Sequence, residues 1–356
     1  MDRIKVAIVG CGYWGQNLIR NFWEQQETEL VMVCDLDPKL LANTQRRYPT
    51  LKVTQSYDDV LQSSVDAVVL ATPVSTHHPF ARQAFLAGKH VLVEKPLATT
   101  AADVLDLVAL AEKQKKVLMV DHTFLYTGAV RRMKQLVDSG EIGNLLYYDS
   151  VRVNLGLVQT DTNVLWDLGP HDFSIMDFIS GQEPISISAF GARHMGCPYE
   201  TLVYVSARFQ SDLVAHVHLN WLAPVKVRRT MFGGSNKLIV YDDMEPTEKI
   251  KVYDRGLTVN VNHDPDRRPK LLAGYRNGDM VAPNLETSEA LRLLAREFAA
   301  AIAEGRPPLT DGMAGYRIVR ILEAAQMSLD QNGREITLAT LPCAANLAAA
   351  QSASAR

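Results

Sequence analysis

The sequence predicts an α/β chain in two parts: an N-terminal doubly wound parallel sheet, then a C-terminal α+β domain with an open, mostly antiparallel sheet. Three observations predict it. From residue 1 to about 121, short β-branched runs alternate with helical patterns, the rhythm of parallel strands joined by crossover helices. The first run, Ile4 to Val9, leads at once into Gly10-Cys11-Gly12-Tyr13-Trp14-Gly15 and a helical pattern from Gln16, which is the strand-turn-helix context of a Rossmann nucleotide-binding domain. Beyond His122 the rhythm changes to longer alternating segments separated by Gly, Pro and Asn, which suits antiparallel strands.

In order, the expected parallel strands are 4–9, 30–34, 52–54, 66–71, 90–94 and 117–121. The helices between them carry end signals. Asp37 caps one with Pro38 at its first position, Gly88 closes one, and Thr99 or Thr100 opens the next. In the second part, strands are expected at 144–155, 184–193, 201–210, 213–222, 237–242 and 249–254. Helical patterns at about 127–139, 170–180, 287–304 and 314–330 cover one face of that sheet, with Pro170 as the first residue of its helix and Gly181 as the stop. The other face stays open and is expected to pair with another copy as a dimer or tetramer. The domains expected are therefore 1–121, 122–341 and an Ala/Ser-rich tail at 342–356, expected to be mobile.

Composition narrows the partners. The chain has 356 residues, 47% hydrophobic and 22% charged, with a net charge of −3, so it offers no general attraction to nucleic acid or membrane. Cys11, Cys34, Cys197 and Cys343 are scattered without metal-like spacing, which implies reduced thiols in a cytoplasmic protein, with neither disulfide nor metal site. The opening strand leaves no room for a signal peptide, and no apolar run is long enough to span a bilayer. Small molecules are the expected partners.

One such molecule is legible in the glycines. Gly10 permits a tight turn, Gly12 lets backbone approach a pyrophosphate, and Gly15 lets helix and strand pack closely, with Cys11, Tyr13 and Trp14 completing the loop. The helix N-terminus that follows supplies N–H groups and positive potential to phosphates. About 20 residues on, Asp35 ends the second strand, where a carboxylate accepts ribose hydroxyls and repels a 2′-phosphate. Leu36 follows in place of a cation, so NAD is expected over NADP; the alternative is that Asp35 merely helps Asp37 start a helix. Thr72, Pro73 and His77, after the fourth strand, lie where open α/β sheets bind ligands, with His78 expected at the surface.

Two further patterns carry chemistry. Glu94-Lys95-Pro96 ends the fifth strand, where Lys95 can face a bound nicotinamide and its neighbours can hold the cofactor. Asp167 and His171 are four apart beside a helix, so one turn can bring carboxylate and imidazole to one side as an oriented acid/base pair.

Taken together, GCGYWG, Asp35, Glu94-Lys95-Pro96 and the Asp167/His171 spacing resemble the glucose-fructose oxidoreductase / inositol dehydrogenase / rhizopine-catabolism (Gfo/Idh/MocA) family over nearly the whole chain, to about residue 340. The resemblance implies that Lys95 lies beside nicotinamide and substrate hydroxyl, and that Asp167 and His171 complete the acid/base group. Segments 120–126, 152–156 and 226–229 look most like members that oxidise nucleotide-linked amino sugars at C3. That implies substrate contacts from Phe124, Tyr126, Arg152, Asn154, Trp166 and Arg228 besides the three catalytic residues. Many relatives carry an arginine where this chain has Thr123-Phe124-Leu125-Tyr126, so that contact does not carry over. Inositol or polyol dehydrogenase, sugar ketoreductase and a non-catalytic NAD-binding sensor are the competing expectations.

Overall fold

The structure is a computed structural model describing residues 3–156, 159, 162–262 and 270–340. The expected tail at 342–356 and Cys343 lie outside them. Within the described residues the chain forms two compact units, one of residues 3–127, 287–323 and 339–340, the other of 128–286 and 324–338.

The first unit is built on β1 (Ile4–Val9), β2 (Thr28–Cys34), β3 (Lys52–Thr54), β4 (Ala67–Leu70), β5 (His90–Glu94) and β6 (Leu118–Asp121), all parallel in the order β3-β2-β1-β4-β5-β6. Crossovers run through α1 (Gly15–Glu24), α2 (Pro38–Arg47), α3 (Tyr57–Gln62), α4 (His77–Leu86) and α5 (Ala101–Gln114). Covering both sheet faces buries the central strands completely, which is why Val6-Ala7-Ile8, Val68-Val69-Leu70 and Val91-Leu92-Val93 read as unbroken apolar runs. Asp37 caps α2 by accepting from the Lys39 amide at 2.7 Å, with Pro38 at the first position as expected, and Thr100 caps α5 through the Asp103 amide.

The second unit holds α6 (Gly128–Asp138), β7 (Leu145–Val153), α7 (Val164–Ser180), β8 (Pro184–Ala192), β9 (Leu202–Phe209), β10 (Val214–Asn220), β11 (Val227–Gly234), β12 (Leu238–Asp242), β13 (Ile250–Tyr253), a β14 (Gly256–Asn262)/β15 (Lys270–Arg276) hairpin, β16 (Met280–Val281) and, later, β17 (Ile336–Thr337). Its sheet runs β16-β13-β12-β11-β7-β10-β9-β8-β17, antiparallel except for the β7–β10 pair. Helix α7 packs on β7, β9 and β10 from one side. On the other, Phe190 is 67% and Val214 51% exposed, and the Tyr204 ring stacks on His218 with centroids 4.5 Å apart.

Three expectations need correction. The division at residue 121 gives way because the chain returns: α8 (Ala290–Glu304) packs on α1, with Phe22 and Phe298 edge to face at 6.4 Å, and Thr310 accepts from the Val120 amide at 2.8 Å beside β6. Helix α9 (Gly312–Asp330) then runs from the first unit's residues into the second's. Helix α7 starts at Val164 rather than Pro170, because the Asn163 side chain caps it by accepting from the Trp166 amide at 3.2 Å. Strand β11, between β12 and β7, was not expected, since Arg228-Arg229 and Gly233-Gly234 break its apolar alternation while Thr230 and Phe232 point inward.

Candidate active site

Ligands of open parallel sheets bind outside the carboxyl ends of the strands. The end of β1 turns into Gly10, whose amide donates to Cys34 O at 2.8 Å and whose φ of +94° suits glycine. A Cβ on Gly10 would sit 2.4 Å from Ala71 O, and one on Gly15 2.1 Å from Gly10 O, so both glycines are enforced by backbone contact. At Gly12, by contrast, a Cβ would meet nothing within 4 Å. Its backbone faces open space, as close approach by a diphosphate requires, and α1 begins three residues on.

Asp35 binds this loop to β2. Its Oδ2 accepts from the Cys11 amide at 2.7 Å and its Oδ1 from the Asp37 amide at 2.9 Å. Both readings of Asp35 therefore have a counterpart in the geometry: it helps launch α2, and each oxygen keeps a second lone pair for a ribose hydroxyl. Leu36 is 83% exposed beside it. Burial and the Asp35 charge push the Cys11 thiol up to about 12, so Cys11 serves as a small packing residue. These residues fit a dinucleotide, with Gly10 to Gly15 for the pyrophosphate and Asp35 for the adenosine ribose.

After β4, Thr72 and Thr76 share a hydroxyl hydrogen bond at 2.6 Å, and Thr76 also donates to Pro73 O. His77 is buried between two carbonyls, Pro96 O at Nδ1 and Thr72 O at Nε2, both at 2.8 Å. Burial pulls its pKa down against the pull of those carbonyls. It braces the Thr72-Pro73 loop against Glu94-Lys95-Pro96 rather than presenting a ring nitrogen to a ligand. His78 instead pairs with Asp106 of α5 at 2.9 Å.

Strand β5 ends at Glu94, buried, and Lys95, half-buried. In the parallel register Glu94 lies opposite Asp121 of β6, also buried. Asp121 receives the Trp14 indole N–H at 3.4 Å and the Thr123 hydroxyl, so the glycine-rich loop and two strand ends meet there. Next to it His122 is fully buried; burial first, then the Lys95 and Arg317 charges, draw its pKa to about 3. Sequence reasoning missed Asp121 and His122 as site residues, although two titratable residues at the end of an apolar strand were a signal.

In the second unit, α7 carries Asp167 and His171 one turn apart on one face. Asp167 Oδ2 accepts from the Trp221 indole at 3.0 Å, and Trp166 Nε1 donates to Gln326 at 3.3 Å. Asp172 lies buried against the sheet: its Oδ2 binds Arg152 Nε at 2.5 Å, its Oδ1 takes the Ser150 hydroxyl, and its carbonyl takes the Tyr148 hydroxyl at 2.9 Å. Trp221 and Asp172 thus hold the turn that carries Asp167 and His171, and neither stood out in the sequence.

The remaining substrate candidates divide. Arg152 is 3% exposed in its ion pair with Asp172, so its guanidinium anchors α7 instead of waiting for a phosphate. Tyr126 is fully buried, its hydroxyl 3.1 Å from that of Thr310. Both are corrected to structural roles, for the same reason: each side chain is buried and bonded to a side chain of the protein. Phe124 and Asn154 are half-buried, and Arg228 pairs with Asp243 at 3.2 Å while remaining partly exposed.

Residues 4–122 match the family model described as an oxidoreductase family with an NAD-binding Rossmann fold, and residues 130–240 match the GFO/IDH/MocA C-terminal domain. The chain belongs to the Gfo/Idh/MocA family. A glycosyl hydrolase family 109 protein of Shewanella amazonensis is 32% identical over 164 residues, 43% of this chain but only 36% of that protein. The chain thus matches about a third of that relative's length. A UDP-N-acetylglucosamine 3-dehydrogenase of Acidithiobacillus ferrooxidans is 26% identical over 90% of this chain and 95% of its own; its solved structure aligns with a TM-score of 0.77, at 22% identity, over 93% and 99% of the two chains. An oxidoreductase of Agrobacterium radiobacter, solved with NAD+, L-tartaric acid and magnesium, shares the fold at TM-score 0.80 and 18% identity over 95% and 99%. Among the described residues no helix is long and apolar enough to cross a membrane.

Proposed function

We propose that this protein is an NAD-dependent dehydrogenase that oxidises a sugar ring hydroxyl to a ketone, with C3 of a UDP-linked N-acetylhexosamine as the reacting position. The observation that carries the reading is the paired equipment. A strand-end lysine stands in the cofactor-binding unit and an acid/base turn, capped and braced, in the other, within a family of NAD-binding oxidoreductases. NAD, when bound, accepts the hydride from the carbinol carbon. His171, oriented with Asp167, takes the hydroxyl proton, and Lys95 stabilises the alkoxide as it develops. Phe124, Asn154, Trp166 and Arg228 are the proposed contacts to the sugar nucleotide, with Arg228 suited to a phosphate oxygen.

Cys11 and Cys34 are buried and outside any disulfide, which suits the cytoplasmic setting proposed here. A second copy is the proposed cover for the sheet face that exposes Phe190 and Val214.

The test is NADH formation, read by its absorbance, with UDP-N-acetylglucosamine, free N-acetylglucosamine and myo-inositol. Turnover with the nucleotide sugar at a kcat/KM well above the others supports the proposal. Preference for inositol would replace the substrate, and bound NAD without turnover on any sugar would favour a sensor.

A further inference from the structure

Glu94 and Asp121 are carboxylates facing each other across neighbouring parallel strands, 7% and 1% exposed. Their hydrogen bonds leave one position to explain. Asp121 Oδ1 takes the Thr123 hydroxyl and its Oδ2 the Trp14 indole, while Glu94 Oε2 takes the Lys95 amide at 3.1 Å. Glu94 Oε1 is buried and receives no N–H or O–H among the described residues. Yet the two residues are register partners on neighbouring parallel strands, both buried. Two ionised carboxylates have no proton to share and repel at such range, and a buried acceptor left bare is costly.

We propose that Glu94 and Asp121 hold one proton between them and act as a single unit of one negative charge, which positions Lys95 and the Trp14 loop. The proton resides on Glu94. Burial raises its pKa well above the carboxylate range, reinforced by the Asp121 charge and opposed by Lys95. The titratable groups around the pair are Lys95, whose ammonium favours ionisation, and His122, kept neutral by burial and by the charges of Lys95 and Arg317 on α9. A doubly ionised pair would bind the Lys95 ammonium tightly in place of a substrate oxygen. A singly charged pair orients the strand end with a weaker hold on that ammonium. The inference takes from the proposed function only the part played by Lys95.

Infrared difference spectroscopy on the full-length protein tests it without reference to activity. Wild type minus Glu94→Gln in D2O at neutral pH should show the C=O stretch of a protonated carboxyl group. Absence of that band overturns the proposal. Asp121→Asn keeps it falsifiable if Glu94→Gln fails to fold. Removing the neighbouring charge should move the alkaline titration of the band to lower pH, and an unchanged titration would mean that Glu94 keeps its proton without Asp121. A positioning role further requires Asp121→Asn to raise KM for NAD several-fold, with Asp121→Glu restoring part of the loss. KM unchanged in Asp121→Asn would contradict that role. Failure of the infrared test leaves the dehydrogenase proposal standing, whereas failure of turnover leaves the proton pair standing.

Discussion

At the residue scale, Asp35 shows how one carboxylate can serve structure and selectivity together. It spends one lone pair of each oxygen on the amides of Cys11 and Asp37, and each oxygen keeps a second lone pair, which the proposed cofactor role assigns to a ribose hydroxyl. Asp35→Ser with Leu36→Arg should lower NAD preference and admit NADP, read as the ratio of kcat/KM for the two cofactors; an unchanged ratio would remove Asp35 from cofactor choice. Glu94 makes a second, pH-linked case. Its folded-state pKa lies above the unfolded one, so it contributes stability that is complete at acid pH and lost as pH rises toward the folded value. In that window the loss is about 1.4 kcal/mol per pH unit for one proton. The melting-temperature advantage of Glu94→Gln over wild type should therefore widen as pH rises above the usual carboxylate range, and a constant difference would contradict it.

At the scale of elements, the parallel strands and the caps of α2 and α5 were legible because each has a local cause: β-branched runs buried on both faces, Asp-x-Lys and Thr-x-x-Asp capping, proline at a first turn. What was not legible depends on partners far along the chain. Helix α7 begins early because Asn163 also bonds Glu200 and Gln326, and Pro170 is then tolerated inside it. Strand β11 is held by β7 and β12 on either side, which outweighs its arginines and glycines. The same distance effect hid the meaning of Arg152, whose partner Asp172 lies 20 residues away under α7. Asp172→Ala strands a buried guanidinium and should cost roughly 3–5 kcal/mol, whereas Arg152→Met with Asp172→Leu should recover much of it, both measured by denaturant unfolding. A loss below about 1 kcal/mol for Asp172→Ala would show the pair to be better hydrated than its burial indicates.

At the scale of the whole molecule, the residues proposed for the reaction are divided between two compact units. Glycine loop, Asp35 and Lys95 belong to one; Asp167 and His171 belong to the other. The sequence motifs are each local to one unit, and only the proposed reaction draws on both. The proposed substrate is the least local property of all, because its proposed contacts Phe124, Asn154, Trp166 and Arg228 lie far apart along the chain. The most direct test of that division is a kinetic cycle of Lys95→Met, His171→Asn and the double variant, measured as kcat with UDP-N-acetylglucosamine and NAD. The expected result is a loss of about 10³ or more in each single variant, NAD affinity retained, and a double variant little worse than the poorer single, as for groups acting on one hydroxyl. Near-normal turnover in either single variant, or losses that multiply in the double, would contradict it.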